Sequence, residues 1–188
     1  MRRLKGSWLG GLSLVAIALV TLVPGLWTIP VIDRDEARFA QASRQMFESV
    51  AWAAERLDLR RGEDGTPLGA HSGGWAIPMV QDRPRLNKPP LVYWVQVASA
   101  WVFTGGEPGR DAIWMYRVPG VVCALLSVLL TWRLGLLLFD ARAAWLGGAF
   151  LAVCPLVVFD AHQARADQLL LTTVLAGELC LWRVWRGG

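Results

Sequence analysis

The stretch Asp33-Arg34-Asp35-Glu36-Ala37-Arg38-Phe39-Ala40 follows directly on an uncharged run from Ser7 to Ile32. Charge placed at the end of a hydrocarbon-length helix is expensive unless it lies among headgroups or in a water-filled cavity. An acidic cluster there is therefore a site hypothesis. The same residues read locally as a helix start. Asp33 suits the N-cap, and Glu36 stands three residues on, the spacing of a capping box. Phe39, Met46 and Phe47 then fall on or near one face of a short amphipathic helix. The plain alternative is a capped juxtamembrane helix with no chemistry.

Working outward, the composition agrees with a membrane setting. Of 188 residues, 54% are hydrophobic and only 18% charged, richer in apolar residues than a soluble domain usually is. Several of the 11 tryptophans stand at the ends of apolar runs, among them Trp8, Trp27, Trp182 and Trp185, as in interfacial belts. The basic residues are spread out and form no aromatic-interleaved patch, so no nucleic-acid partner is expected. Cys123, Cys154 and Cys180 all lie in apolar segments. Their spacing fits neither a metal site nor a disulfide framework.

The predicted fold is an all-α integral membrane protein. Spans are expected at about residues 8–30, 118–139, 143–160 and 168–185. The first is too long for a signal h-region and is read as a retained helix. Arg2, Arg3 and Lys5 put the N-terminus in the cytoplasm, so the loop 33–117 lies outside. That loop carries 11 basic and 11 acidic residues. Within it, residues 60–74 read as an irregular Gly-rich connection, and His71 as a solvated loop histidine. Leu91 to Phe103 is apolar but short of the ~20 residues a crossing helix needs. Pro89-Pro90 precede it and Thr104-Gly105-Gly106 follow. A crossing there would carry Asp167 to the face opposite Asp35. With four spans and two juxtamembrane helices, the short connections obey the positive-inside rule, and Asp35, Lys88 and Asp167 share the outer face.

At that face, a lysine suits a lipid phosphate as a point charge with three donors. Two carboxylates beside it suit orienting or deprotonating a hydroxyl. The plain readings are a snorkelling lysine, an Asp167 that caps span four, and an Arg165 paired with Asp160 or Asp167.

These motifs resemble a known family. DEARFAQASRQM (35–46), the tryptophan stretch Trp75–Pro78, NKPPLVYW (87–94) and ARADQLLL (164–171) are similar to the N-terminal part of GT-C polytopic glycosyltransferases. The nearest are the aminoarabinose transferases of lipid A modification and the bacterial relatives of the protein O-mannosyltransferases. The resemblance implies an enzyme of the inner membrane with an extracytoplasmic active face. It would transfer a sugar from a polyprenyl-phosphate donor to a lipid or protein acceptor, with inversion. By motif, Asp35 and Asp167 become the catalytic carboxylates and Lys88 the phosphate lysine, with Glu36 and Arg38 binding substrate. Asn87 stands where aminoarabinose transferases tend to carry a glutamate, so no metal ligand is assigned there and any divalent metal stays open. Family members are several hundred residues long, so the chain reads as their N-terminal portion. The competing class is a transporter, or a non-catalytic or truncated polytopic membrane protein. Transporters place their charges near the midplane, whereas here they gather at one surface.

Overall fold

The computed structural model describes residues 2–55, 75–81, 83–86 and 88–187. The loop 60–74 with His71, and Asn87, fall outside the described residues. Of the described residues, 74% are helical. The chain divides into two compact units, Pro30–Pro119 and Met1–Ile29 with Gly120–Gly188.

The Pro30–Pro119 unit is built on α2 (Arg34–Glu55) and α3 (Leu91–Thr104), which pack together. Asp33 starts α2 as expected, its Oδ1 accepting the Asp35 N–H at 3.1 Å, which satisfies one of the helix's orphan donors. Phe39, Met46 and Phe47 are buried. Phe39 stacks on Tyr93 at 5.7 Å and Phe47 meets Trp101 at 5.9 Å. Helix α3 begins after Pro90 and stops at Gly105, whose φ of 68° is the left-handed C-cap that glycine adopts without a Cβ penalty.

One departure from an all-α chain is a pair of two-residue strands, β1 (Met79–Val80) and β2 (Arg83–Pro84), antiparallel with Met79 opposite Pro84. Gln81 turns between them at φ 56°, a left-handed conformation that costs a non-glycine residue. The Gln45 amide of α2 offsets that cost. It donates to the Gln81 carbonyl at 3.2 Å and accepts the Gln81 N–H at 2.9 Å.

Helix α4 (Ile113–Leu138) begins in this unit and ends in the other. It starts ahead of the expected Val118, with Pro119 inside the helix. Proline has no N–H to give the carbonyl four residues back. That carbonyl, on Met115, accepts the Ser99 hydroxyl at 2.6 Å. Of the described helices, α4 alone is long and apolar enough by itself to cross a membrane.

In the other unit, α1 (Arg2–Leu22) packs on α5 (Ala141–Val153). Gly148 lets the helices close, since a Cβ there would come within 2.9 Å of Leu14. Helix α1 ends earlier than the expected 8–30 span, and the chain turns at Pro24-Gly25, where Gly25 has φ 91°. Asp140 caps α5, accepting two N–H groups at 2.8 Å. Those bonds hold its carboxyl below the usual carboxylate range. The expected single span at 143–160 is bent by 53° where α5 meets α6 (Pro155–Ala161). Pro155 cannot continue the hydrogen-bond ladder, and the Ala152 carbonyl at the break accepts the Thr21 hydroxyl at 2.8 Å. Helix α7 (Asp167–Trp185) completes the unit. Thr172 ties it to α4, with its hydroxyl 2.9 Å from that of Ser127 and donating to the Cys123 carbonyl at 2.8 Å. Such polar contacts hold helices together where no hydrophobic effect separates them from lipid.

Candidate functional site

The acidic turn at the start of α2 splits its two acids between two environments. Successive helical residues point about 100° apart, so a helix that buries one leaves the other at its flank. Asp35 is half-exposed and faces Arg38 at 3.5 Å, also half-exposed. Glu36 is 1% exposed and Arg117 of α4 is fully buried. The Arg117 Nε donates to Glu36 Oε1 at 2.7 Å and its Nη2 to Oε2 at 3.1 Å. The same Nη2 reaches the Pro30 carbonyl at 3.3 Å. This is the bidentate fork that a guanidinium makes and an ammonium cannot.

Lys88 is exposed on the strap leading into α3, where Pro89 and Pro90 stiffen the backbone behind it. A second cation stands on the same strap. Arg85 donates from Nε to the Tyr93 hydroxyl at 3.0 Å and lies 4.6 Å from the Phe39 ring centroid. Phe39 is one helical turn beyond Asp35. Burial pushes the Tyr93 phenol up, and the Arg85 hydrogen bond pulls it partly back. Asp35, Glu36, Arg38 and Lys88 thus all belong to the Pro30–Pro119 unit.

Asp167 belongs to the other unit. It opens α7 as the first helical residue, after an Ala166 N-cap, where a carboxylate suits the helix dipole. It is half-exposed and 3.3 Å from Arg165 Nε. The turn before it is tied down on several sides. Asp160 is buried, and its Oδ2 accepts the Gln168 amide at 3.0 Å. Arg165 also reaches Asp160 at 3.9 Å. The two ring nitrogens of buried His162 lie 2.7 Å from the Val158 and Pro24 carbonyls. Gly120 of α4 approaches this turn so closely that a Cβ would sit 3.2 Å from the Ala161 carbonyl.

Arg117, Arg85, His162 and Gln168 did not stand out in the sequence. Arg117 carried one signal that could have marked it: it is the last charge before the long uncharged stretch of α4. Arg85 and His162 each reach a remote segment, at Phe39 and Pro24, and Gln168 bonds back across the turn to Val157 and Asp160, so none of the three marks itself by a short motif.

Residues 87–188, more than half of the chain, match the family described as dolichyl-phosphate-mannose-protein mannosyltransferase. The chain belongs to this family. The resemblance carried by the motifs is thereby borne out. Among curated proteins, the chain is similar to Bacillus subtilis YycA, provisionally named a mannosyltransferase, at 28% identity over 55% of this chain and 14% of the relative. It is also similar to two proteins named undecaprenyl phosphate-alpha-4-amino-4-deoxy-L-arabinose arabinosyl transferase. The one from Photorhabdus laumondii is 25% identical over 78% of this chain and 21% of its own length. The one from Yersinia enterocolitica is 26% identical over 99% of this chain and 28% of its own length. The chain therefore spans under a third of these relatives. No solved structure matches it significantly. Family membership and the apolar helix α4 together identify a membrane protein.

Proposed function

We propose that the chain forms the donor-handling part of a glycosyltransferase. It moves a sugar from a polyprenyl-phosphate carrier to a lipid or protein acceptor at the outer face of the cell membrane. The observation that carries this reading is the family match, which opens at Asn87-Lys88. The Asp35–Arg38 and Lys88 motifs lie in one compact unit, which supports it. Four spans at about 8–30, 118–139, 143–160 and 168–185 bring the loop 33–117 outside, and α2 and α3 lie along the surface. The bent α5–α6 pair counts as one span in this reading.

Each residue has a role in the transfer. Asp35 takes the acceptor proton as the acceptor oxygen attacks the anomeric carbon, with Asp167 the second carboxylate. The bond from that carbon to the phosphate oxygen breaks, and its electron pair leaves with the polyprenyl phosphate. Lys88 stabilises the charge that gathers there. Arg38 and Glu36 serve substrate binding in this reading, Arg38 directly and Glu36 from behind through its pair with Arg117. Displacement by the acceptor from the opposite side inverts the anomeric centre.

The test is consumption of radiolabelled undecaprenyl-phosphate aminoarabinose and undecaprenyl-phosphate mannose by the full chain in membranes. Release of undecaprenyl phosphate from either donor is the expected result. Asp35→Asn should abolish release while donor binding survives. Lys88→Ala should weaken binding and lower turnover by about 10²–10³-fold, the usual cost of losing one electrostatic stabiliser. Full turnover by Asp35→Asn defeats the assignment.

A further inference from the structure

We infer that Arg117 is a positioning residue for Asp35, acting through Glu36 from behind the first turn of α2. The inference rests on the reading of Asp35 as the base of the transfer. Arg117 and Glu36 are both buried from solvent, at 0% and 1% side-chain exposure. Taking two charges out of water is costly, and a pair of well-packed apolar residues of the same volume would serve stability as well or better. What the ion pair adds is direction. Its two parallel hydrogen bonds fix the carboxylate in one orientation. The third, to the Pro30 carbonyl, holds the backbone just ahead of the Asp33 cap. One guanidinium therefore grips the chain on both sides of Asp35, at Pro30 and at Glu36.

The base of the clamp is itself held. Arg117 stands between Met115 and Pro119 on α4. The Met115 carbonyl that Pro119 leaves without its helical donor is taken by Ser99 of α3. Tyr116 next to it donates to Asp111 at 2.6 Å. Asp35, by contrast, has among the described residues only the half-exposed Arg38 as an ion-pair partner. Its side chain owes its aim to the rotation of the helix turn that carries it. A misplacement of about 1 Å at a reacting group can cost about 10²-fold in rate.

The experiment compares Arg117→Lys with the double variant Glu36→Gln/Arg117→Met in the full chain, using undecaprenyl-phosphate aminoarabinose and undecaprenyl-phosphate mannose as donors. The double variant leaves no buried charge unpaired, so it keeps the test open if Arg117→Met alone does not fold. Both variants should lose about 10²-fold in kcat with donor KM nearly unchanged. In an Asp35→Asn background, where release is already abolished, the same changes should leave donor binding within about twofold, because the donor's contacts do not run through the pair. Wild-type kcat in both variants overturns the inference. So does a rise in donor KM at constant kcat, or a loss of donor binding in the Asp35→Asn background, either of which would make Glu36 a direct ligand.

A second arm does not depend on turnover. A nitroxide on Asp35→Cys, with Cys123, Cys154 and Cys180 replaced by alanine, should give an immobilised spectrum that narrows when the pair is removed. An unchanged spectrum defeats the inference even if the transferase reading stands. A narrowing without any donor consumption keeps the clamp and defeats that reading instead.

Discussion

Two acidic turns invite comparison, Asp33–Arg38 at the start of α2 and Asp160–Asp167 ahead of α7. Each holds one buried acid, Glu36 or Asp160, and one half-exposed acid with an arginine close by in sequence, Asp35 with Arg38 or Asp167 with Arg165. They differ in how the buried acid is paired. Glu36 has a cation of its own, brought from α4 and bonded through both oxygens. Asp160 has a neutral amide from Gln168 and a share in Arg165, which stands nearer to Asp167. The first turn therefore separates its structural acid from its available one. The second couples the two through a single arginine. A change at Arg38 should leave Glu36 alone, whereas a change at Arg165 should reach both Asp160 and Asp167.

The sharpest way to break this contrast is Arg117→Met. Removing one partner of a buried pair strands the other charge, at a cost of about 3–5 kcal/mol. Unfolding by denaturant in detergent should show that loss, and adding Glu36→Gln should recover most of it. A loss under about 1 kcal/mol would mean that water reaches Glu36 and that the two turns are alike.

The α6–α7 turn should respond less. Gln168 is buried and donates to the Val157 carbonyl as well as to Asp160. Gln168→Leu leaves those acceptors short of one donor, about 1–3 kcal/mol for buried groups. Arg165 remains to moderate the loss at Asp160. If Gln168→Leu proves as damaging as Arg117→Met, then Arg165 gives Asp160 no support and the shared-arginine description fails.

How far the sequence could see follows the same divide between local and remote partners. The limits of α3 were legible because Pro89-Pro90 and Gly105-Gly106 act on their own backbone. The Asp33 cap was legible because its acceptor and donor lie two residues apart. Asp35 and Asp167 could be picked out as acids at the edges of apolar runs. The occupation of Glu36 was not legible, since Arg117 is 81 positions away and a capping-box spacing already offered that glutamate a local role. Pro155 was visible, but the bend it makes was not. A proline at the first turn of a new helix and a proline inside a continuing one, such as Pro119, look the same until the freed carbonyl's partner is known. For Pro119 that partner is Ser99, on a separate helix.

The smallest expected effect sharpens the comparison from the exposed side. Asp35 and Arg38 are 3.5 Å apart with about half of each side chain in solvent, 51% and 49%. Water screens such a pair, and holding two flexible side chains together costs entropy, so its contribution to stability is about 0–1 kcal/mol. Arg38→Ala should therefore shift the unfolding midpoint little, and less still at high salt, where the Debye length shrinks to about 3 Å at 1 M. Turnover should behave differently. If Arg38 meets the donor's phosphate, its loss raises donor KM while the fold is untouched, and Arg38→Lys recovers part of the affinity because the charge remains and the fork does not. A stability loss above about 1 kcal/mol that survives high salt would show Arg38 to be part of the buried scaffold. The first turn of α2 would then contain no acid left free for chemistry, and Asp35 would lose its place as the candidate base.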